Sequence, residues 1–492
     1  MSVRSLRHEG EPLSMRLMLA AGAVLVGSIA AIVLLALQLK LAIAIAGALG
    51  IVAACVITRR PRQLLLFVLV ALVPIDAQLV LNFREHLGGA WGVVIWVPLM
   101  LLVPLAILAV MDHVAASAPR PWRLGRWTVL VPLLPIVASL PSFMSSRDLT
   151  LSSYELLRML AAFLIYLYFA VELRPGDLRI VVVALFAGLL AELPFALLQF
   201  ATGAEIKLFG LESGTALEDL GSGQVRRVSG TLIHPNLLAS YVALLFPMTL
   251  VFAVRASVPG ALRALAIVAS VAGLVLLLLS FSRGSWVGVV VALPVALFLA
   301  ARFRHLTVLR TVVVTLALAV AAAMSLALPP VLDRLTSSDP ANLEVRFYLN
   351  DIAADMWRSA PVIGVGLNTF TEIAVDFDVR HVSTVKPALP AHNIYLLWLA
   401  EIGAVGALGM AVFVGWSLFQ GLRAARLRDR TGSLIAVGFV AGVIALYVGE
   451  IVSFSTKADP VMQMFFILLG IMVALLRIHG ASPDRARAGA AG

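Results

Sequence analysis

Long apolar runs, each close to the length of a bilayer crossing, recur along the chain and alternate with short polar connections. A helix rises 1.5 Å per residue, so a run of about 20 apolar residues matches the hydrocarbon core of a membrane. Fourteen such runs are expected as membrane-spanning helices, near 16–39, 41–58, 63–81, 91–111, 127–144, 155–172, 178–200, 237–254, 261–281, 285–301, 307–328, 392–418, 433–452 and 461–479. The alternating pattern that lipid-facing barrel strands require is missing. Two long segments interrupt the runs. Residues 201–236 hold glycines, acids and the pair Arg226–Arg227. Residues 329–391 open on Pro329–Pro330 and are rich in acids and polar residues. Within them, Asn350 to Trp357 has helical spacing and Pro361 to Gly366 reads as a turn. A water-facing segment this long inside a helix bundle is usually functional. The chain thus divides into N-terminal spans (1–200), a first outer segment (201–236), central spans (237–328), a second outer segment (329–391), C-terminal spans (392–479) and a tail (480–492).

Composition agrees with an all-α polytopic membrane protein. Of 492 residues, 61% are hydrophobic and 13% charged, and mean hydropathy is +1.01. A soluble domain carries about 25% charged residues. The net charge of +10 would suit nucleic acid, but the cations are dispersed over short connections. Alternate connections, together with both terminal segments, hold 23 of the 37 Lys and Arg residues. Positively charged loops stay on the cytoplasmic side, so both termini are expected inside, with the bilayer and not nucleic acid as the partner. Arg4, Arg7 and Arg16 precede a long first run with no small-residue cleavage site, which reads as an uncleaved helix. The single cysteine, Cys55, lies in an expected span and excludes an intrachain disulfide and a cysteine metal site.

Four constellations face the side where cations are scarce. Arg226-Arg227-Val228-Ser229-Gly230-Thr231 leads through His234-Pro235-Asn236 into a span. Pro235 and Asn236 are ordinary helix-start chemistry. The two adjacent arginines are not, and point to anion binding beside a helix N-terminus. Ser280-Phe281-Ser282-Arg283-Gly284-Ser285 separates two spans by so tight a turn that Arg283 must sit at the membrane surface, as a snorkelling side chain or as a ligand-binding one. Arg346 lies in the second outer segment, where a solvated helix face is the simpler reading. Asp376-Phe377-Asp378 is a weak metal motif, and no metal site or cofactor is expected from it. His392-Asn393 closes the outer segment and opens a span. An imidazole titrates near pH 6.5 and can take a proton from a hydroxyl, although a histidine at a helix start is commonly only a cap. Glu401 lies about 13 Å further along that helix, too far to partner His392 directly.

Outward-facing arginines and one histidine suggest a specific chemistry. Arginine forks deliver paired donors to a diphosphate, and fixed cations stabilise the charge that grows on a leaving phosphate without a metal. The histidine would deprotonate an incoming sugar hydroxyl. A polyprenyl tail would lie among the spans.

At these residues the chain resembles the O-antigen ligase and polysaccharide polymerase superfamily of bacterial inner membranes. The segments that carry the resemblance are Arg227-x-x-Gly230-Thr231 through Pro235-Asn236, Ser282-Arg283-Gly284, and His392-Asn393 through Glu401-x-Gly403, with Arg346 and the Gly364-x-Gly366 turn between them. It covers about residues 225–410. The resemblance implies a GT-C-like membrane glycosyltransferase with one large periplasmic loop containing short helices. That enzyme would move a glycan from undecaprenyl diphosphate to a hydroxyl of a glycan, a lipid A core or a protein, on the periplasmic face. Arg227 and Arg283 would match its diphosphate-binding arginines, with Arg226 able to stand in for Arg227 and Arg346 as a further candidate for the diphosphate. His392 would match its general base. Asn393, Glu401, Asn236 and Ser282 would be supporting residues. A transporter for lipid-linked glycans shares the cationic cavity but needs no base.

Overall fold

The computed structural model describes residues 50, 53, 55, 57–75, 78–115, 124–208, 211–213, 215–219, 224–255, 258–303, 340–380 and 389–480. Residues 1–64 and 65–492 form two separate units; the second carries all the chemistry discussed below. Its elements are α1 (Pro61–Ala71, which begins just before it), β1 (Gln78–Leu81), β2 (Val93–Trp96), α2 (Val97–Ala115), α3 (Arg126–Ser139), α4 (Leu149–Glu172), α5 (Leu178–Thr202), β3 (Ile206–Leu208), β4 (Leu211–Ser213), β5 (Ala216–Asp219), β6 (Gln224–Arg227), α6 (Pro235–Val254), α7 (Gly260–Ser280), α8 (Arg283–Arg302), α9 (Pro340–Ser359), α10 (Phe370–Ile373), α11 (Ile394–Ala425), α12 (Arg430–Gly449) and α13 (Asp459–Gly480).

Among the described residues, ten helices are long and apolar enough to cross a membrane. The expected spans near 16–39 and 307–328, and nearly all of 41–58, lie outside the described residues. The stretch near 63–81 is a correction. Helix α1 stops at Ala71 after 11 residues, about half a bilayer crossing. Pro74 lacks an N–H and disfavours helical geometry in the residue before it. Beyond it, Gln78–Leu81 pairs antiparallel with Val93–Trp96. Apolar composition alone does not distinguish such a strand from the end of a span.

Helices α6, α12 and α13 are the most enclosed. Helix α12 lies against both α6 and α8, and α13 against α4. Small residues make these approaches possible: Gly442 meets the backbone of Leu244, Gly288 that of Ala445, and Gly470 that of Tyr166. In an apolar medium, close backbone contact of this kind replaces the hydrophobic drive that holds soluble helices together. Helix α2 instead turns Val103, Ile107, Val110 and Met111 outward, as a lipid-facing helix does.

Helix α11 is broken at Gly403, whose backbone (φ 63°, ψ −171°) is not helical. The turn Pro361–Gly366 fills the break. Val365 N–H donates to Ala400 O at 2.9 Å and Gly366 N–H to Glu401 O at 2.9 Å. In return, Ala404 N–H donates to Pro361 O at 2.9 Å and Val405 N–H to Val362 O at 3.1 Å. Two carbonyls and two N–H groups at the kink thus find partners in the turn. Ser145 and Ser142 hold the turn from the other side, through Gly364 O at 2.6 Å and Leu367 N at 3.1 Å.

The approach is so close that a Cβ on Gly403 would meet the Val362 carbonyl, and one on Gly364 (φ +76°) the Glu401 carbonyl. Gly403→Ala is therefore expected to cost at least the 1–3 kcal/mol of a strained backbone, and to lower the melting temperature of the purified protein. Gly415, in the same helix with open space around its Cα, is the control: Gly415→Ala should be neutral or slightly stabilising. Equal melting temperatures for the two variants would refute the role of the interlock.

Candidate functional site

The segment after β6 is anchored before it reaches the site. Buried Glu192 of α5 accepts the Thr231 N–H at 2.7 Å and the Thr231 hydroxyl at 2.5 Å. Gln199, about two turns further on, accepts from Ser229 N at 3.1 Å and Gly230 N at 2.8 Å. This fixes the register of the preceding strand. Side chains alternate along a strand, so Arg226 and Arg227 face opposite ways. Arg226 turns back and donates to Phe200 O at 2.9 Å. Arg227 is buried, with Nε donating to Ser280 O at 2.9 Å and Nη2 to Asn236 Oδ1 at 2.6 Å.

Those two bonds bring together the C-terminus of α7 and the N-terminus of α6. The chain reverses between α7 and α8 through Phe281, which adopts a left-handed conformation (φ 49°). Arg283 becomes the first residue of α8, beside Ser282. Gly284 lets this turn settle against Gly449 and Val452.

Arg227, Arg283 and Arg346, from three distant segments, line one open cavity of about 550 Å³ with Asn236, Ser282 and Ser453. Gly284, Gly449 and Val452 also line it, and none of the described lining residues is acidic. The N-terminal turns of α6 and α8 both border the cavity, adding the positive ends of two helix dipoles to three guanidiniums. Arg226 is not among the lining residues.

His392 stands beside the cavity rather than in its lining. The Ile394 N–H donates to Ser453 O at 3.0 Å, which ties the start of α11 to the cavity wall. The His392 ring meets Phe454 edge to face, with centroids 5.3 Å apart. His392 Nδ1 lies 3.1 Å from Pro390 O, an acceptor only, so Nδ1 carries the proton and Nε2 presents a lone pair. Burial, with the Arg346 charge beside it, pushes the imidazole pKa down to about 4, and the Pro390 bond offsets this only in part. The ring is therefore neutral near pH 7 and able to accept a proton.

The other residues singled out in the sequence occupy supporting places. Asn393 caps α11, accepting from Tyr395 N at 3.0 Å and Leu396 N at 3.2 Å. Glu401 forms a buried pair with Lys457 at 2.6 Å, two residues before the break at Gly403. Asp376 pairs with Arg147, and Asp378 accepts from Tyr348 Oη at 3.0 Å, so the two acids serve different partners.

Two features escaped the sequence reading. His234 is the N-cap of α6. Its Nδ1 accepts from Asn236 N at 3.1 Å, which leaves Nε2–H as a donor within electrostatic reach of Arg227, Arg346 and His392. Its place directly before Pro235-Asn236 was the available signal. The second is a buried ionic group: Arg158 with Glu155 at 2.5 Å, Lys457 with Glu401, and Arg158 donating to Lys457 O. Glu155 and Arg158 are one helical turn apart in an otherwise apolar run, where ionisable side chains mark function or a partner.

Residues 268–411 match the family model described as O-antigen ligase, which supports membership of the O-antigen ligase and polymerase superfamily. The matched stretch contains Arg283, Arg346, His392 and the Glu401-x-Gly403 break; Arg227 lies before it. The search of curated proteins gave no match. With ten apolar spans, the family match supports a bacterial membrane protein of glycan transfer.

The geometry separates the two adjacent arginines. Arg227→Ala is expected to weaken binding of inorganic diphosphate roughly 10- to 100-fold by calorimetry, since a hydrogen bond to a charged group is worth about 1.5–3 kcal/mol. Arg226→Ala should leave binding within about twofold. The reverse ranking would overturn the assignment.

Proposed function

We propose that the protein transfers a glycan from a polyprenyl diphosphate, of the undecaprenyl type, to an acceptor hydroxyl on the extracytoplasmic face. One observation carries this reading: three arginines from separate segments converge on one cavity beside a neutral histidine. A diphosphate is the ligand that such a cluster of planar donors suits.

The steps follow from the groups present. The His392 Nε2 lone pair takes the proton of the acceptor hydroxyl as its oxygen attacks the anomeric carbon. The bond from that carbon to the phosphate oxygen breaks, and its electron pair stays on the diphosphate. Arg227, Arg283 and Arg346 stabilise the negative charge that grows there. The three guanidiniums supply the charge compensation that a divalent cation supplies elsewhere, so EDTA is expected to leave the rate unchanged. Ligation to a lipid A core, polymerisation of repeat units and transfer to protein all use this bond change and differ only in the acceptor.

Purified protein, lipid-linked glycan and acceptor together test the reading. His392→Ala should lower kcat by 10²- to 10⁴-fold, the usual contribution of a general base. Arg283→Ala should cost about 10²- to 10³-fold at saturating donor. Full transfer by either variant would refute the assigned roles. A wild-type protein that moves the lipid across the bilayer and forms no glycosidic bond would be a transporter.

The pH dependence carries a sign. The base is active when neutral, so the acid limb of kcat/KM should fall well below pH 6.5, towards the free-protein value of about 4. Arg346→Gln removes a cation that disfavours the imidazolium, which raises the pKa and shifts the acid limb to higher pH. An unmoved or lowered limb in that variant would sink the coupling.

A further inference from the structure

A second cavity, of about 570 Å³, opens on the far side of the segment that walls the arginine cavity. Ser453 lines the first cavity and its neighbour Phe454 lines the second. The Phe454 ring is the one that His392 meets at 5.3 Å. Gly88, also in the second lining, packs so closely on Pro390 that a Cβ would come within 2.8 Å of the proline ring. The base, two residues beyond Pro390, thus stands between the two spaces.

Their chemistries differ. Among its described lining residues the arginine cavity has three cations and no acid. The second cavity mixes Arg158 and Lys457 with Asp459, and each cation is matched by a carboxylate behind it: Glu155 on Arg158 and Glu401 on Lys457. Such a balanced set has little to offer a diphosphate. Two polar atoms at its wall, Arg158 Nε and Gln78 Oε1, are buried and lack a hydrogen-bond partner among the described residues. One is a donor and the other an acceptor. Trp91 adds an aromatic face. Paired donors and acceptors beside an aromatic ring suit a sugar, whose hydroxyls both donate and accept while its C–H face lies on the ring.

We propose that this second cavity is the acceptor subsite, holding an uncharged sugar through Gln78, Trp91, Arg158 and Asp459 so that its reactive hydroxyl reaches His392 past Phe454. The assignment rests on the transfer reaction proposed above and adds the acceptor's position and chemical class.

Binding can be read without turnover. The probes are oligosaccharides released by mild acid from the surface glycan of cells that make the protein, with saturation-transfer NMR on the full chain in detergent micelles. Wild type should bind them. Trp91→Ala and Gln78→Leu should each weaken binding at least tenfold, and Trp91→Phe should restore most of it. Undecaprenyl diphosphate should bind all three variants as it binds wild type, which also reports their folding. Arg227→Ala should leave oligosaccharide binding unchanged. Should Trp91→Ala lose both ligands through misfolding, Gln78→Leu, nearly isosteric, decides the question. The subsite is overturned if wild type binds no oligosaccharide, if Gln78→Leu and Trp91→Phe both bind normally while Trp91→Ala is folded and also binds normally, or if Arg227→Ala abolishes binding. A protein that binds the sugar here yet forms no glycosidic bond would retain the sugar site and refute the transfer reaction instead.

Discussion

A transmembrane helix cannot be broken without finding partners for the backbone groups that the break exposes, and this requirement organises the molecule. In α11 the break at Gly403 is answered by the turn Pro361–Gly366, which takes up two carbonyls and supplies two more to the freed N–H groups. Each set of backbone groups takes its partners from the other, so the kink and the docked turn depend on one another. The consequence extends to both ends. Below the break, α11 continues as a spanning helix. Above it, the short segment from Ile394 to Ile402 is held by the outer residues rather than by the bundle alone. His392 lies two residues before that segment, and Glu401 is near its end. The outer segment that closes the break is also the one that carries Arg346, through α9 packed on α11. Base and cation are thus set by one interlock.

Charge is partitioned with the same economy. Burying an unpaired ion in a bundle is costly, so cations below the surface are matched: Arg158 by Glu155 and Lys457 by Glu401. Among the described residues, the lining of the cavity at the heads of α6 and α8 brings together three guanidiniums and no carboxylate. Arg227 and Asn236 share a hydrogen bond there, and Ser280 fixes the Arg227 Nε. Arg227 is thus oriented by neutral oxygens, which hold a guanidinium in place without cancelling its charge.

Much of this was legible in the sequence, and the parts that were not share a cause. Span positions follow from the length of apolar runs, because each helix satisfies its own backbone and needs no distant partner to be recognised. Arg283 could be placed at the surface because its turn is too short to allow anything else. The choice between Arg226 and Arg227 could not be made. It depends on strand register, which Glu192 and Gln199 of α5 fix through bonds to residues over 30 positions away. The region near 63–81 read as a span because hydropathy does not register that Val80 and Leu81 pair with Val94 and Val93. The partner of Glu401, Lys457, lies 56 residues on, beyond any local pattern. Local rules give elements; contacts between distant segments give the site.

A cation beside a catalytic base looks counterproductive, since Arg346 makes His392 harder to protonate and so a weaker base. On the proposed reaction the arrangement has a use. With the cavity unfilled, the imidazole is neutral and poorly basic. A bound diphosphate brings negative charge against Arg227, Arg283 and Arg346, compensating the cations that depress the imidazole. Its affinity for a proton then rises. The same charge that holds the donor thereby regulates the base: His392 becomes an effective proton acceptor when there is a glycosyl diphosphate to attack, and a weak one otherwise. After the sugar is transferred, the diphosphate leaving group carries more charge than the donor did. The imidazolium formed in the step is then stabilised beside it until product and proton depart. A lone histidine at a helix start would have none of this coupling. It follows from placing Arg346 and His392 on two elements that the kink at Gly403 brings together.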